Sequence, residues 1–103
     1  MAYMLRFIQQ FRISEEQAFL ELEKRFAELE RANPSLPRGL RMRPVSGREP
    51  GHTLVWECQF GSLQELNGAL ETLGRSEEHS RLFAQQSPLM TQSYTEIYEL
   101  LDL

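Results

Sequence analysis

Residues 3–13, YMLRFIQQFRI, alternate between two faces: Tyr3, Leu5, Phe7, Phe11 and Ile13 on one, Met4, Arg6, Ile8, Gln10 and Arg12 on the other. That period of two predicts a strand with one apolar and one mixed face. Gln9 is the polar interruption of the apolar series. The period then lengthens in SEEQAFLELEKRFAELERANP, where Phe19, Leu22, Phe26 and Leu29 recur at helical spacing and Asn33-Pro34 ends the run. Ser14 followed by Gln17 predicts a capping box, with Glu15 and Glu16 at the positive end of the helix dipole. The remaining Glu, Lys and Arg positions read as a solvated face.

GLRMRPV (39–45) and HTLVWECQF (52–60) alternate again, and SGREPG between them predicts a hairpin with a long loop. Ser62 and Glu65 form a second capping box ahead of a stripe of Leu63, Leu66, Leu70 and Leu73, which Gly74 breaks. Ser76 caps a further short helix that ends at Ser87-Pro88, and SYTEIYELL (93–101) alternates as a last strand. Gly68, inside a helical run, costs up to ~1 kcal/mol relative to Ala, so a close helix approach is expected there.

The order β-α-β-β-α-β is the split βαβ arrangement of ferredoxin-like α+β domains: a four-stranded antiparallel sheet with two helices on one face. Residues 1–103 read as one domain. The face opposite the helices would carry Met4, Ile8, Val55 and one of Ile97 and Tyr98. An apolar patch of that kind marks an interface. Covering several hundred Å² at roughly 25 cal/mol per Å² is worth several kcal/mol. A homodimer through the sheet face is therefore expected.

Composition narrows the function classes. A net charge of −4 argues against nucleic acid as partner, because phosphate neutralisation dominates such affinity. No apolar run is long enough to span a bilayer, and MAYMLRFIQQF, broken by Arg6, does not read as a signal peptide. The lone Cys58 fits a reducing, cytoplasmic setting and reads as an inert buried thiol. Two His, one Cys and one Asp leave too little for an intrachain metal cage, so no metal is expected.

Four groups remain for chemistry. His79, three residues after Ser76 at a helix start, is expected as a neutral imidazole, either a general base over a pocket or a half-exposed residue bonded to Ser76 or a nearby carboxylate. Gln9 would lie beneath the helices, where an unpaired amide costs roughly 1–3 kcal/mol, so it marks a ligand cleft or bonds a backbone neighbour. Trp56 shares its strand face with Leu54, Cys58 and Phe60, as core or pocket wall. Arg41 and Arg43 share one strand face and could form an anion site, or pair with Glu57, Glu96 or Glu99 across strands and across the dimer. His52, at a hairpin tip, reads as a loop residue. No nucleophile–base–acid set appears.

An RNA-recognition domain needs glycines and aromatics that HTLVWECQF lacks. Acylphosphatases and amino-acid-sensing domains carry a glycine-containing loop where this chain has RISEEQAF. The early strand running into a Glu-rich helix, LVWECQFGSLQELNGAL, and the closing EEHSRLFAQQSPLMTQSYTEIYELL resemble the dimeric α+β barrel superfamily. Within it the closing stretch is most similar to NIPSNAP-like domains, beside the small antibiotic-biosynthesis-type monooxygenases. The resemblance implies a homodimer that binds or oxidises a small, partly aromatic molecule without a cofactor, held near Gln9, Trp56 and His79. If the chain is an enzyme, it implies oxygenation or a related isomerisation, with His79 or Gln9 positioning the substrate. The haem-degrading branch is set aside, because its Asn, Trp and His positions correspond here to Gln9, Leu73 and Phe83, and His79 lies four residues too early. The alternative is a non-catalytic interaction module whose own side chains fill the pocket.

Overall fold

The computed structural model describes residues 2–103. Its elements are β1 (Tyr3–Phe11), α1 (Glu16–Ala32), β2 (Leu40–Met42), β3 (Thr53–Phe60), α2 (Leu63–Arg75), α3 (Glu77–Gln86) and β4 (Met90–Glu99). The strands form one antiparallel sheet in the order β2-β3-β1-β4. β1 sits centrally and is paired along its length with β3 and β4, Leu5 facing Cys58 on one side and Ile97 on the other.

Two apolar clusters anchor the helices to the sheet. Leu5, Trp56 and Leu66 join β1, β3 and α2, with Tyr3, Phe7, Cys58, Phe60 and Leu70 packed around them. Phe11, Phe19 and Leu54 join β1, α1 and β3, and the Phe11 and Phe19 rings stack at 4.7 Å. Full burial of each such side chain contributes roughly 1.5–3 kcal/mol. Gln9 follows Phe7 and precedes Phe11 on the same face of β1, so it falls between the two clusters.

Several local expectations need correction. Ser14 does not cap α1; a 3-10 turn over Ile13–Glu15 leads in, and no side chain caps the helix at Glu15. Ser62 and Ser76 do cap, accepting from the backbone N–H of Glu65 and His79 at 3.1 and 3.2 Å. Gly68 marks no close approach, because a Cβ added there would meet nothing within 4 Å. β2 is only three residues long, ending before Arg43-Pro44.

The outer sheet face is less bare than the alternation suggests. Ile8 is only 4% exposed, in a recess walled by Arg48, Glu49 and Pro50 of the β2–β3 loop together with Tyr94 of β4. Glu49 fastens that loop, accepting from the Gln10 amide at 3.0 Å and from the Tyr94 hydroxyl. Arg6 pairs with Glu57 at 2.6 Å and lies over the Tyr98 ring. Register places Ile97 on the helix side, opposite Leu5, and Tyr98 on the outer face beside Met4.

Candidate functional site

A cavity of about 450 Å³ opens between the helices and the inner face of the sheet. Phe7, Gln9 and Trp56 contribute from β1 and β3, Ser93 and Thr95 from β4, and Phe26, Leu73, His79, Phe83 and Gln86 from the helices. Trp56 is positioned twice: its ring stacks on Phe7 at 4.9 Å, and its indole N–H donates to Glu30 Oε2 at 3.3 Å. Gly39 makes room for it, since a Cβ there would stand 2.1 Å from the indole ring.

One wall is a polar network that the helical pattern of the sequence conceals. α1 buries Phe19, Glu23, Phe26 and Glu30, so two carboxylates share the stripe of two phenylalanines. Arg41 joins them: its Nε donates to Glu23 Oε2 at 2.7 Å, and its two terminal nitrogens donate to Glu30 Oε1 and Oε2 at 3.2 and 2.6 Å. Burial opposes the charge on Arg41, yet the two carboxylates hold its pKa above the ordinary value. Glu30 also accepts from the Gly39 N–H at 3.1 Å, so all four of its bonds are within the fold.

Gln86, 1% exposed on α3, completes the wall. Its Nε2 donates to Glu23 Oε1 at 2.9 Å and to the Phe19 carbonyl at 3.4 Å. A carboxylate accepts only, so this contact fixes which end of the amide faces Glu23. The Gln86 carbonyl oxygen is left without a partner among the described residues.

His79 tilts against Phe26 at 4.9 Å between ring centroids. Burial lowers its pKa from the ordinary 6.5, only partly offset by Glu30, so the imidazole is neutral at neutral pH and able to accept a proton. Cys58 is pushed the other way, its pKa raised first by burial and then by Glu30, which keeps the thiol protonated. No cluster of three or more His, Cys, Asp or Glu suited to a metal occurs among the described residues, and no helix there is long and apolar enough to cross a membrane.

Of the residues singled out in the sequence, His79, Gln9, Trp56 and Arg41 therefore line one cavity. Arg43 does not: it lies beyond β2, pairs with Glu16 at 3.0 Å and sits over the Phe11 ring. The acids that hold Arg41 are Glu23 and Glu30 of α1 rather than Glu57 across the strands, because register sets Arg41 opposite Trp56 on the inner face. Glu57 is occupied by Arg6. Glu23, Glu30, Gly39 and Gln86 escaped the pattern reading. The available signal was the spacing of 19, 23, 26 and 30, as regular as the leucine positions 22 and 29.

The sheet order, the helical layer and this inner cleft define a ferredoxin-like α+β domain. Its fold is the one shared by NIPSNAP-family and antibiotic-biosynthesis-monooxygenase-like proteins. A NIPSNAP family protein of Agrobacterium tumefaciens superposes with a TM-score of 0.79 at 17% identity, covering 99% of this chain and 95% of its own. A candidate antibiotic biosynthesis monooxygenase of Caulobacter crescentus gives 0.76 at 14% identity, with 98% and 91% covered. An uncharacterised NIPSNAP-like domain protein of Burkholderia xenovorans gives 0.76 at 15%, with 97% and 85% covered. No family model and no curated protein matches the sequence.

Proposed function

We propose that the chain binds a small, partly aromatic molecule in the inner cleft, between Trp56 and Phe7 on the sheet side and His79 on the helix side. The observation that carries this reading is the cavity itself: its volume falls within the ~300–1,000 Å³ common for ligand sites, and Gln9 and His79 both line it. An interaction module with a filled core would have closed that space with leucine and phenylalanine side chains.

A neutral His79 suits proton abstraction from an electron-rich aromatic substrate, after which dioxygen, as co-substrate, would take electrons from the resulting anion without a cofactor. The likeness in fold to the Caulobacter protein supports that chemistry as the enzymatic form of the reading. A homodimer through the outer sheet face accompanies it, supported by the exposed Leu40, Met42 and Tyr98 on that face.

The test is NMR titration of the folded protein with bicyclic aromatics of positive, neutral and negative charge. At least one should shift the resonances of Trp56 and Gln9 and raise the melting temperature. His79→Phe, which adds bulk to the cleft, should weaken that binding at least tenfold. A panel that leaves both resonances and the melting temperature unmoved would leave the interaction module as the better account.

A further inference from the structure

The cleft wall carries more negative charge than it neutralises. Glu23 and Glu30 face a single guanidinium, Arg41, and the other titratable group lining the cavity, His79, is held neutral by burial. Three of the five N–H donors of Arg41 are already spent on those carboxylates. An entering anion would therefore meet a wall of net negative charge whose cation is engaged. Carboxylates and phosphates are poor candidates, and the anion-site reading of Arg41 loses its chemistry.

An independent observation points to what the wall would accept. Among the described residues the Gln86 carbonyl is a buried acceptor without a partner, its orientation set by the Glu23 contact. Leaving such a group unpaired is destabilising, and a donor brought by a ligand would remove that cost. Beside it, Glu23 makes one hydrogen bond at each oxygen and retains lone pairs, unlike the saturated Glu30. Phe7, Phe26, Trp56 and Phe83 also line the cavity, and the faces of Phe and Trp rings attract cations.

We propose that the cleft selects a protonated amine carried on an aromatic body, with the ammonium group donating to Gln86 and Glu23 and the ring lying among Phe7, Trp56 and Phe83. An ammonium supplies three donors and the one charge that balances the wall. This rests on the cleft being a ligand site and specifies the class of ligand.

A matched series separates the two claims: 2-naphthylmethylamine, 2-naphthylmethanol and 2-naphthoate, titrated calorimetrically at neutral pH. The amine should bind at least tenfold more tightly than the alcohol, and the naphthoate most weakly. Raising the salt concentration should narrow the gap. Glu23→Gln, with Arg41 still held by Glu30, should bring amine and alcohol within about threefold, because it weakens the amine more than the alcohol. Gln86→Met should weaken the amine more than the alcohol. Equal binding of amine and alcohol, or tightest binding of naphthoate, overturns the selectivity and leaves the cleft reading standing. Failure of all three to bind overturns both.

Discussion

Gly39 carries no side chain, and the Trp56 ring occupies the space where one would be. The glycine N–H also donates to Glu30, so the same residue seats the indole and one of the carboxylates that hold Arg41. Gly39→Ala would force ring, loop or both aside, an overpacking cost of about 1–3 kcal/mol. Gly68→Ala should act in the opposite sense, stabilising by up to ~1 kcal/mol, because its Cβ meets open space in a helix interior. Urea denaturation of both variants checks the pair; equal effects would mean that backbone propensity alone sets the outcome. Neither sign was legible beforehand. A glycine before a strand reads as punctuation, and the indole that makes it obligatory lies 17 positions away in sequence. Glu23 and Glu30 were hidden for a related reason: a carboxylate on a helix reads as solvated until a guanidinium from another element arrives to neutralise it.

α3 shows how an element too short to be stable alone is held in place. Ser76 caps its start, Glu77 and Glu78 complement its dipole, and Gln86 fastens its end to α1 through Glu23 and the Phe19 carbonyl. His79 supplies an apolar contact with Phe26, which it can make at no charge cost only as a neutral ring. Its pKa in the fold is lowered, so the unfolded chain binds the proton more readily. The stability His79 contributes is thus full above about pH 6.5, its ordinary value, and is lost as pH falls through the lower folded value. Thermal melts should show a decline in melting temperature below that pH which His79→Phe reduces, since a phenyl ring keeps the contact and cannot protonate. An unchanged pH profile in the variant would place the acid sensitivity elsewhere. Caps at Ser62 and Ser76 were readable because a cap is local chemistry. The supposed cap at Ser14 failed because the chain enters α1 through a 3-10 turn, and β2 shrank because Pro44 cannot donate to a ladder.

For the molecule as a whole, the succession of alternating and helical stretches made the four-stranded sheet and its helical layer legible, while alternation left open which face of β4 meets the helices and did not place Arg41 on the inner face of β2. What covers the outer face was not, because a loop's resting place depends on groups far away in sequence. Glu49 reaches Gln10 of β1 and Tyr94 of β4, and its hydrogen bond pushes the Tyr94 pKa up to about 12. Ile8 is thereby hidden, whereas Leu40 and Met42 on β2 and Tyr98 on β4 stay exposed. The cover is partial, so the case for a twin rests on the flanks of the face rather than its centre. A stable interface needs about 800 Å² per partner, more than these side chains supply alone, so charged neighbours such as Arg6 and Glu57 would have to lie within it. Light scattering at micromolar concentration should report twice the 12.0 kDa chain mass. The double variant Leu40→Glu, Met42→Glu should halve that mass without changing the far-ultraviolet dichroism, because both residues lie outside the two core clusters. A wild-type chain that scatters as 12.0 kDa would show that the Glu49-fastened loop suffices as cover, and that the remaining apolar side chains are tolerated in water.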